Sequence, residues 1–388
     1  MRVGLLTREY PPEVYGGAGV HVEYLSAELR RRLDLTVHCW GAPRHEPRVF
    51  AHRAWEALAE PKPEAAALQA LSIELAMVAG SKGVDLVHSH TWYVNLAGHL
   101  AKLAWRVPHV VTTHSLEPLR PWKVEQLGGG YALSMFSEET ALRGADAVIA
   151  VSQGMRSDIL GSYPGIPPER VHVIYNGIDA NVYRPEWSEE TLRRHGVDPA
   201  VPYAIFVGRV TRQKGLSHLL EAALQLDPSH QLVICAGAAD TPELATEVEQ
   251  LASRVRERRG RLVWIEGILP RKEVVHLLTA ARVFVCPSVY EPFGLVNLEA
   301  MACETAVVAS RLGGIPEIVV DGETGLLVDF DGGDPAGFAK ELAAAIGKLL
   351  QDPELAARMG AAGRRRVLEQ FTWSAIADRT VDLYRSLI

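Results

Sequence analysis

Cysteine is scarce in this chain. Its 388 residues include four cysteines, Cys39, Cys235, Cys286 and Cys303, far apart and without a CxxC or zinc-type pairing. Neither a disulfide framework nor a cysteine-held metal is indicated. Cys235 and Cys286 fall inside apolar runs, where a thiol behaves as a small hydrophobe. Long hydrophobic runs are also missing: the apolar stretches are strand-length and broken by charges, too short to span a bilayer. There is no basic excess. Lys plus Arg number 40 against 47 Asp plus Glu, a formal charge of −7, which disfavours nucleic acid or an anionic membrane as partner while allowing a local basic site. The start, Met1-Arg2-Val3-Gly4-Leu5-Leu6, enters a strand-like run and lacks an export-signal pattern. A soluble protein of a reducing compartment, the cytoplasm, is expected. What the chain does have is 48% hydrophobic residues, enough for globular cores, over about twice the usual domain length, so two domains are predicted.

Short apolar runs recur, each followed by a segment of helical period. They are Val3–Thr7, Leu35–Trp40, Val84–His88, Val107–Thr112, Ala147–Val151 and Val171–Tyr175 in the first half. In the second they are Tyr203–Val207, Gln231–Ala236, Leu262–Ile265, Val283–Pro287, Ala306–Ser310 and Gly325–Val328. Near-continuous Val/Ile/Leu runs suit parallel strands covered on both faces, with the helices as right-handed crossovers. The fold class is α/β, with two doubly wound, Rossmann-like domains. Proline-interrupted sequence between Tyr183 and Tyr203 sets the expected boundary, giving domains 1–190 and 191–372, with the helix at 373–388 packing back on the first. Two such domains facing each other leave a cleft at the carboxyl ends of their strands.

Polar and glycine-rich residues just after strands are therefore the candidates. Gly16 and Gly17 sit at the first strand-to-helix turn, where backbone N–H groups can approach a phosphate or sugar; a tight turn of small residues is the plain alternative. The spacing is not G-x-G-x-x-G. Arg209 ends the first strand of the second half and Lys214 begins the next helix, so both can neutralise a diphosphate leaving group, unless they are simply solvated. In Ser288-Val289-Tyr290-Glu291-Pro292-Phe293-Gly294-Leu295-Val296-Asn297-Leu298-Glu299 a loop carries Glu291 and a helix starts near Gly294. The free N–H groups of Phe293, Gly294 and Leu295 form a cradle, and Glu299 leans back toward the same helix start. A capping role explains Glu291 poorly, because it lies in the loop between Tyr290 and Pro292. His88, His90 and His114 follow strands but form no H-E-x-x-H motif, so no metal site is assigned.

With these residues in view, the whole chain resembles the retaining GT-B glycosyltransferases, the large family containing sucrose synthases, mannosyltransferases and the shorter bacterial glycogen synthases. Glu291 and Glu299 with seven residues between them match that family's signature. So do Gly208-Arg209-Val210 with Lys214, Tyr175-Asn176-Gly177-Ile178-Asp179, and Gly313-Gly314-Ile315-Pro316-Glu317. Two further segments, Arg8-Glu9-Tyr10-Pro11-Pro12-Glu13-Val14-Tyr15-Gly16-Gly17-Ala18-Gly19 and Arg120–Tyr131, are most similar to the ADP-glucose-using bacterial glycogen synthases, also described as α-maltose-1-phosphate synthases. The longer starch-synthase type has Lys-x-Gly-Gly where this chain has Val14-Tyr15-Gly16-Gly17, which leaves phosphate neutralisation to Arg209 and Lys214.

The resemblance implies a GT-B fold and a retaining, metal-independent transfer of glucose from ADP-glucose, without a cofactor, in glycogen or α-glucan synthesis. Gly16 and Gly17 would approach the diphosphate and glucose, and His114 would contact the transferred glucose. Glu291 with the Phe293–Leu295 backbone would grip sugar hydroxyls, Ser288 and Val289 would shape that site, and Glu299 would bind the ribose. The acceptor is glucose 1-phosphate, giving maltose 1-phosphate, or an α-1,4-glucan. Arg120 and Lys123 beside Trp122 suit a phosphorylated sugar; Trp122, Trp92 and Tyr93 equally suit a glucan end, or a packed Trp among solvated charges. A UDP-GlcNAc-dependent inositol-phosphate glycosyltransferase, a nucleotide-sugar isomerase of GT-B fold and a non-catalytic sugar-binding module are the alternatives. A homodimer is among the assemblies allowed.

Overall fold

The computed structural model describes residues 1–14, 16–58 and 63–388; Tyr15 of the first glycine turn lies outside the described residues. The chain divides into two compact units, Met1–Gly177 with Trp373–Ile388, and Ile178–Thr372. The first holds a parallel sheet of β1 (Arg2–Leu6), β2 (Asp34–Trp40), β3 (Val49–His52), β4 (Leu86–His90), β5 (His109–Thr113), β6 (Ala147–Ala150) and β7 (Val171–Val173), in the order β3-β2-β1-β4-β5-β6-β7. The second holds β8 (Tyr203–Val210), β9 (Gln231–Ala239), β10 (Leu262–Glu266), β11 (Val283–Cys286), β12 (Ala306–Ser310) and β13 (Gly325–Val328), also parallel, in the order β10-β9-β8-β11-β12-β13. Both are doubly wound sheets, as the recurring apolar runs predict. Strands such as β5, β6, β11 and β12 are buried along their whole length, which is why β6, β11 and β12 read as near-continuous apolar runs, while β5 buries His109, Thr112 and Thr113 as well.

One strand is not in the sequence reading. β3 is a four-residue edge strand of mixed polarity, and no helix separates it from β2, so it carries neither signal. The unit boundary also differs from residue 190. Ile178 donates to the Phe371 carbonyl at 2.8 Å and forms a bridge with Thr372, which ties the chain to the second unit from that point on. The segment expected to be a linker contains the helix Glu189–Arg194, held to the helix Arg271–Ala280 by Thr191 Oγ1–His276 Nδ1 at 2.9 Å and His195 Nε2–Glu273 Oε2 at 2.6 Å.

The core of the second unit joins the β8–β13 sheet to the helices Leu216–Ala223, Pro242–Arg259 and Pro335–Gln351. That of the first includes Trp373, Ile376, Ala377, Val381, Leu383 and Tyr384 beside Val3, Leu5 and Val110, so the last helix, Trp373–Leu387, completes the layer over β1. Among the described residues no helix is long and apolar enough to cross a membrane.

Candidate active site

In a doubly wound sheet the crevice opens where the strand order reverses, beyond the carboxyl ends of the two central strands. In the second unit these are β8 and β11. The β8–β9 register slips between Gly208 and Val210, which places Arg209 at an irregularity that re-aims a strand-end side chain. Thr211 then caps a single turn, Arg212–Lys214, its hydroxyl accepting from the Lys214 N–H at 3.3 Å. Gly215 follows at φ +63°, and a Cβ there would strike the Pro287 carbonyl. The chain must be glycine at this point for the loop after β8 to press on the loop after β11. Val289 N–H donating to the Gln213 carbonyl at 2.9 Å joins the same two loops.

This contact delivers Lys214 to Glu291. Lys214 Nζ lies 2.6 Å from Glu291 Oε2, and the Ser288 hydroxyl donates to the same oxygen at 3.0 Å. Burial opposes the Lys214 ammonium, but the Glu291 charge and hydrogen bond, with a contribution from Cys286, outweigh it and raise its pKa above the ordinary lysine value. The Glu291 backbone is fixed as well. Gly314 N–H donates to its carbonyl at 2.9 Å, and Gly313, at φ +54°, passes so close that a Cβ would strike that carbonyl. The Gly313-Gly314 motif after β12 is thus a clamp on Glu291.

Gly294, at φ +105°, caps the helix Leu295–Ala302. Phe293 is buried edge-on against Phe371, which orients the loop so that its backbone leads into the helix start. Glu299 lies one turn further on; burial pushes its carboxyl up to about 7, against the lowering effects of a Tyr183 hydrogen bond and the charges of Arg271 and Lys214. The structure therefore brings Arg209, Lys214, Ser288, Glu291, Gly294 and Glu299 to one end of the second sheet. Sequence reading did not single out Asn297, a fully buried side chain in the first turn of that helix whose amide atoms lack a partner among the described residues.

In the first unit the crevice lies beyond β1 and β4. The Gly16 N–H offered by the glycine turn is engaged by Glu9 Oε2 at 2.7 Å, and Gly19 packs so closely on Glu9 that a Cβ would meet its carboxylate. Any phosphate reaching Gly16 must displace this carboxylate. Gly17 opens the helix Gly17–Leu29. His114 follows β5 and is partly buried; its Nε2 lies 3.1 Å from His90 Nδ1. Burial, aided by neighbouring imidazoles, holds His88, His90 and His114 well below the usual histidine pKa, so they are neutral.

The acceptor set divides. Trp92 is a core side chain, 4% exposed and packed with Ala67, Ala70 and Leu127, so it is withdrawn as a stacking platform for a glucan end. The Tyr93 ring is covered by Trp92 at 4.0 Å and by the Arg8 guanidinium at 4.1 Å. Arg120 donates to Ser115 Oγ at 3.0 Å beside buried Glu117, and Lys123 donates to Gln126 Oε1 at 2.8 Å. Trp122 shares the one-turn helix Pro121–Lys123 with Lys123 and is half-buried.

Residues 188–366 match the family of glycosyl transferases group 1, and residues 15–182 match glycosyltransferase family 4. The chain is 53% identical over 394 residues to the α-maltose-1-phosphate synthase of Mycolicibacterium smegmatis, with all of both chains covered. The chain belongs to the GT-B group 1 glycosyltransferases. This glycosyltransferase is also 34% identical to the D-inositol 3-phosphate glycosyltransferase of Thermobifida fusca over 316 residues, 78% of this chain and 70% of that protein. Among solved structures it is similar to sucrose-phosphate synthase from Thermosynechococcus elongatus, with a TM-score of 0.81 and 26% identity over 100% of this chain and 98% of that one.

Proposed function

We propose that this glycosyltransferase moves α-glucose from ADP-glucose to glucose 1-phosphate, giving maltose 1-phosphate and ADP, with extension of an α-1,4-glucan as a second activity. The observation that carries the reading is the full-length 53% identity to a protein named α-maltose-1-phosphate synthase. The site chemistry supports it. Arg209, Lys214 and the start of the helix Leu295–Ala302 provide positive charge for a departing diphosphate. Glu291 is assigned to the sugar hydroxyls and not to nucleophilic attack: its Oε2 already accepts from Lys214 and Ser288, which lowers its reactivity toward carbon. Configuration is then retained by front-face transfer. The acceptor hydroxyl bonds to C1, the C1–O bond to the β-phosphate breaks, and the acceptor proton passes to the leaving phosphate oxygen. His114, neutral, hydrogen-bonds the glucose; Gly16 and Gly17 approach the donor; Glu299 takes the ribose; Arg120, Lys123 and Trp122 receive the acceptor. Because these cationic groups carry the diphosphate charge, the reaction is proposed to be metal-independent, and EDTA should leave turnover no lower.

Mass spectrometry of products from ADP-glucose or UDP-glucose, each with glucose 1-phosphate or glycogen, tests the proposal. A phosphorylated disaccharide from ADP-glucose is expected. Elongated glucan alone would make the protein a chain-extending synthase. The relationship to D-inositol 3-phosphate glycosyltransferases supports a second reading, in which transfer occurs only from UDP-GlcNAc to an inositol phosphate; adding that pair to the panel separates the two.

A further inference from the structure

Three histidines from distant parts of the first unit meet in one place. His21 lies on the helix Gly17–Leu29, His90 ends β4, and His114 follows β5. One nitrogen from each lies within 4.8 Å of the others, and among the described residues this is the one group of histidine, cysteine and carboxylate side chains spaced for a single ion. His21 Nδ1 bonds the Asn176 amide oxygen at 2.7 Å. An amide oxygen only accepts, so Nδ1 carries the proton and Nε2 presents a lone pair. That Nε2 is buried and has no partner among the described residues, and the same holds for His90 Nε2. His88 stands beside His90 but spends both ring nitrogens on Tyr384 and Thr112. Leaving two buried imidazole nitrogens unpaired costs stability; His38, His99, His109 and His230 each carry one such nitrogen too, but among the described residues only this group brings three ligand atoms within reach of one ion.

We infer that His21, His90 and His114 form a binding site for a borderline divalent transition ion, zinc being the ion tested. Nitrogen-only donors suit zinc, cobalt, nickel or copper and not magnesium or calcium. Zn–N bonds of about 2.0–2.1 Å put two tetrahedral ligands roughly 3.3 Å apart. One ring nitrogen from each histidine already lies within 4.8 Å of the other two, so ring rotations within the existing triad bring them to that spacing. Asn176 fixes the His21 tautomer in the way outer partners of ligating histidines do. His114, partly exposed, provides the entry path and leaves the fourth position to solvent. Bound zinc withdraws His114 from sugar contact and so inhibits transfer; that consequence rests on the proposed function, whereas the binding does not.

The experiment is calorimetric titration of the untagged, chelator-stripped full chain with ZnCl2, with visible absorption of the Co2+-loaded protein as a second readout. One ion per chain and tetrahedral-type cobalt bands are expected. His114→Ala and His21→Gln should each weaken binding by more than about tenfold, and Asn176→Leu by about 10–100-fold without removing a ligand. Circular dichroism checks each variant; should His21→Gln fail to fold, His114→Ala decides. Absence of saturable binding in the unaltered chain, or unchanged affinity in folded His114→Ala, overturns the site.

Discussion

Lys214 Nζ and Glu291 Oε2 lie 2.6 Å apart in a setting where the two side chains are 17% and 8% exposed. The residues come from loops after β8 and β11, so the pair bridges the two central strands of the second sheet. Removing Lys214 has two separable effects. On the proposed mechanism, transfer loses a cation at the leaving phosphate, worth about 10²–10³ in kcat. The fold is left with a buried, unpaired carboxylate, worth about 3–5 kcal/mol. Lys214→Met should therefore lower both activity and the unfolding midpoint. Adding Glu291→Gln should recover much of the stability and none of the activity, as urea melts and ADP release would show. A fully active double variant would remove these residues from the chemistry.

With Glu299 on the donor ribose, as proposed, donor binding acquires a pH dependence. Its carboxyl is pushed up to about 7, chiefly by burial, so it is protonated below that pH and ionised above it. A ribose hydroxyl donates best to the ionised form. The KM for ADP-glucose should fall as pH rises through about 7, and Glu299→Gln should flatten that trend while raising KM at pH 8. Initial rates between pH 6 and 8.5 check it; an unchanged pH profile in the variant would remove Glu299 from donor binding.

Much of this was legible in sequence, for identifiable reasons. Fully buried strands such as β11 and β12 have no solvent face to dilute their apolar runs, whereas β3 at the sheet edge does. Arg209, Lys214 and Glu291 could be placed at strand ends because a doubly wound sheet puts its loops there. Their pairing could not, since Lys214 and Glu291 are 77 residues apart and meet only because β8 and β11 are neighbours. The three-histidine group is hidden for the same reason: helix and strand periodicity do not say that His21 turns toward His90. Trp92 shows the opposite failure. A large aromatic just after a strand reads as a sugar platform, and only the surrounding Ala67, Ala70 and Leu127 reveal it as core.

Glu138 should make the first unit more stable in mild acid. It is buried beside Glu117 and accepts from the Tyr163 hydroxyl at 2.6 Å and the Glu117 N–H at 2.8 Å. Burial, and then the Glu117 charge, raise it from 4.5 to about 8. A raised folded-state pKa means that the native protein holds a proton the unfolded chain releases. The contribution is complete below about 4.5 and is lost as pH rises through about 8. Urea unfolding of the unaltered chain should carry a declining component of at most about 1.4 kcal/mol per pH unit across that window. Glu138→Gln should remove that component; an unchanged slope would assign it elsewhere.

The last helix is a structural part of the first unit, and one hydrogen bond tests how tightly. Tyr384 is fully buried in the first-unit core, and its hydroxyl meets His88 Nδ1 at 2.5 Å, while His88 Nε2 meets Thr112 Oγ1 at 2.7 Å. This chain of contacts runs from the end of the sequence through β4 to β5. Tyr384→Phe keeps the ring and its packing but leaves a buried imidazole nitrogen unpaired, at a cost of about 1–3 kcal/mol. Ile376→Ala, on the same helix and 1% exposed, should cost about 2–5 kcal/mol through lost burial and the cavity left behind. Both losses should appear in the first unit's transition when urea unfolding is followed by hydrogen exchange, with amides of β8–β13 unaffected. A change below about 0.5 kcal/mol for Tyr384→Phe, the range of an ordinary surface substitution, would mean that the helix docks by apolar contact alone.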